Sequence, residues 1–409
     1  MRVAFLSSRA PSHDAIGNQL VEKVAFFLDR EADVRVFLES DDDLASALRS
    51  YSRALDADMP DDEAWQYLST ADLIFVEYSQ WFRLLHWLPL LTGGKARIVF
   101  DYHGVTPASL WGHHNREAIE KGVRQRGLVW CCDAALTHSR WTHRELSGAT
   151  HFPENWRRRA GYPVNLEHFS SGKPHLDWRE RLGLGPVRLL LYVGRLAPNK
   201  RVSILAQTLD RLKDHMPEVH CLIVGDTKDA YAQEAEKCRD QASDLGVADR
   251  FHLAGQVSDE ELLDAYRSAD LFVMPSIHEG FCIPVIEAMA CGLPVVAARA
   301  TALPETVASA GLTFISDDVE DLVRQVRRVL GEDRGSRMED REIEDRASRN
   351  HGEKRSIVEL QASILNPQSS IRDSRSLRIA VVAFRFGVDF PGGAESSLRT
   401  AALALQDAG

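Results

Sequence analysis

Short continuous apolar runs recur along the chain, separated by longer stretches of helical spacing. In the first half Val3–Leu6, Asp33–Leu38, Leu73–Val76, Arg97–Phe100 and Ala134–Thr137 read as strands. Residues Gly17–Arg30 place Leu20, Val21, Val24, Phe27 and Leu28 on one side, which predicts a helix. In the second half the strand runs are Arg188–Val193, His220–Val224, Phe251–Leu253, Leu271–Met274, Val295–Ala297 and Leu312–Ile315. A helix is expected over Val202–Leu212. Ser258-Asp259-Glu260-Glu261 has capping-box form and opens another helix, to about Arg267. Strands that are apolar on both faces and alternate with helices predict an α/β chain with parallel sheets.

The rhythm breaks near Gly161-Tyr162-Pro163-Val164-Asn165, which divides the chain into domains 1–163 and 164–330. Residues 331–357 are dominated by Arg, Glu and Asp, and 366–376 have linker composition. Segment 331–376 is therefore read as a charged crossing helix and linker. Beyond it the pattern restarts. Leu377–Val382 mirrors Met1–Leu6, and Pro391-Gly392-Gly393-Ala394-Glu395 opens a helical pattern through Leu405. One such unit cannot bury its own apolar face. Residues 377–409 are expected to begin a further domain, the other reading being a tail on the first sheet.

Composition narrows the class. The 409 residues are 44% hydrophobic and 27% charged, as in ordinary globular domains. Lys plus Arg is 49 and Asp plus Glu is 60, a net charge of −11, so no nucleic-acid partner is expected. The six cysteines form no C-x-x-C pair, which points to free thiols in a reducing compartment. The vicinal pair Cys131-Cys132 is expected to be buried. The start, Met1–Ser8, turns polar too soon for a signal peptide, and no apolar stretch of about 18 residues occurs. A cytoplasmic protein is expected.

Two segments carry chemistry. After the strand Leu271–Met274 comes Pro275-Ser276-Ile277-His278-Glu279-Gly280-Phe281-Cys282, and Pro284 suits the first turn of the next helix. This puts a helix N-terminus at the carboxyl edge of a parallel sheet, where free N–H groups suit a phosphate. Glu279 and Glu287 would oppose a bare phosphate but suit hydroxyls on either side of it. The second segment is Tyr192-Val193-Gly194-Arg195-Leu196-Ala197-Pro198-Asn199-Lys200-Arg201. Arg195 and Lys200 flank a helix start, where cations oppose the dipole unless an anion lies between them. A diphosphate fits.

Gly194-Arg195…Lys200, followed by Glu279-Gly280-Phe281 and Glu287-Ala288-Met289-Ala290-Cys291-Gly292-Leu293-Pro294, resembles the retaining glycosyltransferases of family 4. The likeness covers about residues 1–330. It implies the GT-B fold, in which two Rossmann-like domains face a cleft. The C-terminal domain would hold a nucleotide-diphosphate sugar, UDP-, GDP- or ADP-linked, and the N-terminal domain an acceptor.

The resemblance also implies roles. Arg195 and Lys200 would neutralise the diphosphate as a leaving group. Glu279 would contact the donor hexose, and Glu287 the nucleotide ribose. The backbone at Gly194, Gly280, Phe281 and Cys282 would line the phosphates and sugar, with Glu305 in a turn near the donor. In the first domain His103, in Asp101-Tyr102-His103-Gly104, would face the donor sugar. Gly17 would lie beside the diphosphate, although Ala15-Ile16-Gly17-Asn18 has one glycine where many relatives have two. That pair occurs instead at Gly392-Gly393, which favours a second glycosyltransferase domain fused to the first.

Two cations and helix N–H groups can offset the departing charge without a divalent metal. No Asp-x-Asp stands in a donor loop, and Asp41-Asp42-Asp43 reads as a solvated turn. No metal site and no bound cofactor are expected. The acceptor would be a glycan or a lipid-linked glycan in cell-surface polysaccharide or glycolipid assembly. A GT-B phosphorylase or epimerase, or a non-catalytic sugar-nucleotide-binding member, are the rival readings. Two segments bear on peripheral contact with the inner face of a membrane. Trp81–Leu91 is rich in apolar groups, read as core or as an interfacial patch. Segment 138–159 gathers His138, Arg140, His143, Arg144, His151 and Arg157-Arg158-Arg159, read as a solvated surface or an anion-binding cluster.

Overall fold

The computed structural model describes residues 1–331 except 13–14, 60, 112–115, 163, 167 and 229–230. The charged segment after Gly331 and the pattern at 377–409, Gly392-Gly393 included, lie outside the described residues. Two compact units result: 1–109 and 116–163 form the first, and Leu110, Trp111 and the residues from Val164 on form the second.

The first unit is built on strands β1 (Arg2–Ser7), β2 (Asp33–Leu38), β3 (Ser52–Ala54), β4 (Leu73–Tyr78), β5 (Arg97–Tyr102), β6 (Ala134–Thr137) and β7 (Arg157–Arg159). They pair in the order β3-β2-β1-β4-β5-β6-β7, all parallel. The second unit has β8 (Arg188–Val193), β9 (Val219–Val224), β10 (Phe251–Gly255), β11 (Leu271–Met274), β12 (Val295–Ala298) and β13 (Leu312–Phe314). Their order is β10-β9-β8-β11-β12-β13, again all parallel.

The apolar runs explain the inner strands. After its first residue β8 is buried throughout, as is all of β11, because helices cover both faces of the sheet. In each sheet the order reverses beside one central strand, β1 or β8. Loops leaving neighbouring strands there diverge, and a crevice opens at the carboxyl edge.

The structure corrects one reading and adds elements that the pattern did not announce. Edge strands β3 and β7 had no apolar run to announce them, and polar edges of this kind resist further pairing. Arg157-Arg158-Arg159 is therefore a strand, and segment 138–159 is not one solvated cluster. His138 and Arg157 are buried, with the Arg157 guanidinium donating to the His143 carbonyl at 2.8 Å, while Arg140 and Arg144 are exposed. The helix Val319–Leu330 was also unannounced; it buries Leu322, Val323 and Val326 and stops at Gly331, with φ 95°.

Trp81–Leu91 takes its core reading. Phe82, Leu84, Leu85, Leu88 and Leu91 join Ile74 and Ile98 in one buried cluster, and Leu90 stays outside. The predicted capping box closes as drawn. The Ser258 hydroxyl accepts from the Glu261 N–H at 3.2 Å, and the Glu261 carboxylate accepts from the Ser258 N–H at 2.9 Å. All six cysteines are free, with Cys132 buried and Cys131 half-buried. Asp41-Asp42-Asp43 is exposed. Among the described residues, no helix is long and apolar enough to cross a membrane.

Candidate active site

In the second unit both predicted segments leave the switch strands, β8 and β11, at their carboxyl ends. Gly194 has φ 151° and Gly225, which follows β9, has φ 149°. A Cβ on Gly225 would lie 2.0 Å from the Gly194 carbonyl oxygen, so only glycine allows these strand ends to approach. Pro198–Lys200 forms a single tight turn. Its buried Asn199 ties the two segments together. The Asn199 carbonyl accepts from the Ile277 N–H at 2.9 Å and the Ser276 hydroxyl at 3.2 Å, and its amide donates to the His278 carbonyl at 3.2 Å.

This juxtaposition sets Lys200 Nζ 2.5 Å from Glu279 Oε1, with side-chain exposures of 15% and 10%. The Glu279 backbone is pinned by Thr301, whose hydroxyl accepts from the N–H at 2.8 Å and donates to the carbonyl at 2.9 Å. The Thr306 hydroxyl holds the Phe281 carbonyl at 2.5 Å. Cys282 has φ 81°, left-handed backbone that costs a non-glycine residue about 1–3 kcal/mol. It precedes the helix Ile283–Ala290, which carries Pro284 in its first turn. Burial and the nearby Glu279 charge push the Cys282 thiol well above its usual range.

Glu287 lies on that helix, half-buried, and its carboxylate accepts from the Tyr266 hydroxyl at 2.7 Å. Burial pushes this carboxyl up to about 7. Arg195 is exposed and its guanidinium donates to the Tyr231 hydroxyl at 3.3 Å. Glu305 sits in the first turn of the helix Leu303–Val307. Gly194, Lys200 and Glu279–Cys282 thus share one crevice edge, while Glu287 meets Tyr266 instead of a cation.

In the first unit Gly17 is the third residue of the helix Ala15–Leu28. A Cβ there would lie 2.0 Å from the Pro11 carbonyl oxygen, so the close approach it permits is to this chain's own loop. His103 follows β5 and is buried. Its Nε2 lies 2.9 Å from Glu77 Oε2, and its Nδ1 is hydrogen-bonded to the Tyr162 hydroxyl.

Sequence reasoning missed Tyr266, Thr301, Glu77, Lys23, His138 and Tyr162 as partners of the site residues. One signal was available: Glu77 and Asp101 are carboxylates inside otherwise apolar strands.

Residues 176–350 match the family model of glycosyl transferases, group 1. The chain carries a domain of that family. Arg195, Lys200 and the whole of Glu279–Glu305 fall within the group 1 domain; Gly17 and His103 lie before it. The chain is 34% identical over 173 residues to the D-inositol 3-phosphate glycosyltransferase of Streptomyces bingchenggensis, covering 41% of this chain and 38% of that protein. It is 33% identical over 252 residues to the sulfoquinovosyl transferase SQD2 of Arabidopsis thaliana, covering 60% and 46%. The chain therefore spans less than half the length of these curated relatives.

Among solved structures it is similar to Anabaena HepE in complex with UDP and glucose, with TM-score 0.69 and 18% identity over 81% of this chain and 90% of that one. The lipopolysaccharide-biosynthesis glycosyltransferase WaaG follows at TM-score 0.61 and 16% identity, covering 80% and 90%. The two parallel-sheet units and these neighbours establish the GT-B fold.

Proposed function

We propose that the protein moves a hexosyl group from a nucleoside-diphosphate sugar to a hydroxyl of a glycan or lipid-linked acceptor, with retention at the anomeric carbon and without a divalent metal. The observation that carries this reading is the Lys200–Glu279 pair at the carboxyl edge of the β8/β11 switch, with exposed Arg195 on the same loop. An ammonium has three donors. Lys200 can hold Glu279 and still meet a phosphate oxygen.

In this reading the C1–O bond to the diphosphate breaks and its electron pair passes to the β-phosphate oxygen. Arg195, Lys200 and the N–H groups opening Ile283–Ala290 offset that charge. Glu279 holds hydroxyls of the hexose and Glu287 those of the ribose. The acceptor hydroxyl attacks from the face the phosphate leaves, and its proton goes to that phosphate. The first unit, with Gly17 and His103, serves the acceptor and the donor hexose. The second unit, through Gly280, Phe281, Cys282 and Glu305, serves the donor. UDP is favoured among UDP, GDP and ADP because the similar HepE was solved with UDP and glucose. The division at 163/164, a working place at the inner face of a membrane, and a second glycosyltransferase domain beginning at 377 belong to the same reading.

A thermal-shift screen with UDP, GDP and ADP sugars tests donor binding. A ligand at about 100 times its dissociation constant adds about 2.7 kcal/mol of stability. Proton NMR of the product then reports the anomer. Glu279→Gln is expected to abolish turnover and Asp42→Ala to leave it intact. Equal activity in both variants would refute the site.

A further inference from the structure

The first unit holds a buried charge cluster at the carboxyl ends of β4 and β5. Lys23, from the helix Ala15–Leu28, lies 2.6 Å from Glu77 Oε1 and 2.8 Å from Oε2, and also holds Asp101 Oδ2. The Glu77 and Asp101 side chains have no exposed surface. Each carboxylate then reaches one imidazole. Glu77 Oε2 lies 2.9 Å from His103 Nε2, and Asp101 Oδ1 lies 2.6 Å from His138 Nε2. The two imidazoles stack with centroids 4.9 Å apart, and the Tyr162 ring stacks on His138 at 4.0 Å.

Hydrogen-bond partners assign the protons. A ring nitrogen that faces a carboxylate or a carbonyl must carry hydrogen. His138 faces Asp101 with Nε2 at 2.6 Å and the Ala160 carbonyl with Nδ1 at 2.9 Å. Burial holds this imidazole below its usual value even against the pull of the Asp101 charge. Burial likewise opposes ionisation of Asp101, yet Lys23 and His138 hold that carboxyl well below its usual range. His103 faces Glu77 with Nε2, which therefore carries hydrogen. Its Nδ1 faces a hydroxyl, which can donate.

Lys23 is the cation shared by Glu77 and Asp101, and an imidazole meets a further oxygen of each carboxylate. Carboxylates with a counter-charge and matched donors are the form that burial tolerates. Asp101, His103 and His138 are close enough to hold a metal ion. Their ring nitrogens, however, are spent on carboxylates, the Ala160 carbonyl and Tyr162, and Lys23 supplies the positive centre.

We propose that Glu77, held by Lys23, is a positioning residue that fixes His103 as the Nε2–H tautomer. This leaves Nδ1 as a hydroxyl acceptor, occupied by Tyr162 here and by a donor-sugar hydroxyl during turnover. The sugar part rests on the function proposed above; the tautomer does not.

Glu77→Gln discriminates. Lys23 would claim the amide oxygen, since it bonds both Glu77 oxygens, and would turn the NH2 group toward His103. The imidazole would then have to accept at Nε2 and carry its proton on Nδ1. The experiment is nitrogen-15 NMR of the histidine-labelled full chain at neutral pH, with signals assigned by His103→Gln. The wild type is expected to show Nε2–H with an unprotonated Nδ1, and Glu77→Gln the reverse. UDP-glucose hydrolysis by Glu77→Gln should fall in kcat by about 10- to 100-fold, the range for partners that orient a metal-bound histidine, with KM changed less than about threefold.

Circular dichroism checks folding. If Glu77→Gln fails to fold, Tyr162→Phe serves instead; it spares the charges, and His103 must remain Nε2–H in it. A wild-type His103 protonated on Nδ1, or a folded Glu77→Gln with unchanged tautomer and kcat, would overturn the proposal. Wild-type chain with the Nε2–H signature but no turnover of UDP, GDP or ADP sugars would overturn the sugar-accepting role and the proposed function, and would uphold the Glu77 assignment.

Discussion

Glu287→Gln removes a titration while keeping the side chain's length and its ability to accept from Tyr266. Burial raises the Glu287 carboxyl from 4.5 to about 7, against the opposing pull of the Tyr266 hydroxyl. Between those values the folded chain keeps a proton that the unfolded chain releases. The site therefore stabilises the fold fully below pH about 4.5, and that stability is lost as pH rises through about 7. At about 1.4 kcal/mol per pH unit the whole shift is worth up to about 3 kcal/mol. Glu287 is partly open to solvent, so screening leaves about 1–3 kcal/mol. Glutamine has no such titration. Going from pH about 5 to about 8, Glu287→Gln should gain this 1–3 kcal/mol relative to wild type. Native-state hydrogen exchange of buried amides in β8, β9 and β11 measures it, because those strands open only with the unit. Stability profiles that stay parallel within about 0.5 kcal/mol would refute the reasoning. The same titration should reach the ligand. A carboxylate accepts hydroxyl hydrogen bonds more strongly than an acid, so UDP affinity should rise from pH about 6 to about 8 in wild type and stay flat in Glu287→Gln.

Arg195→Ala, at an exposed side chain, should change stability by less than about 0.5 kcal/mol while weakening UDP binding at least about tenfold, read by denaturation and calorimetry. Lys200→Ala should weaken UDP binding and also cost about 1–3 kcal/mol of stability, because buried Glu279 loses its counter-charge; adding Glu279→Ala should restore part of that stability. Gly17→Ala drives a Cβ to 2.0 Å from the Pro11 carbonyl and should cost about 1–3 kcal/mol by urea denaturation, whereas Gly127→Ala, with nothing within 4 Å, should be near neutral.

Legibility in the sequence followed the range of the forces involved. β2, β6, β8 and β11 matched their predicted limits, β8 and β11 because a strand covered on both faces must be apolar along nearly all its length. β3 and β7 could not be read this way, since an edge strand of three residues takes its identity from the neighbour it pairs with. The helix Ala232–Asp244 buries only Ala235, Cys238 and Ala242, too faint a stripe to predict.

For the site, the sequence alone determined the chemistry at each strand end. The glycine and cations after β8 and the two glutamates around the Ile283–Ala290 turn are local signals, set by backbone geometry and spacing. Tertiary structure decided the partners. Lys200 meets Glu279 across 79 residues only because β8 and β11 are neighbours despite two intervening strands. Lys23, Glu77, Asp101 and His138 come from the helix Ala15–Leu28, β4, β5 and the loop after β6, and they pair only when sheet order brings those segments to one edge. The rise of Glu287 likewise comes from burial beside Tyr266. Charge state and pairing depend on what surrounds a group in space, and in a sheet that crosses over, spatial neighbours are not neighbours along the chain.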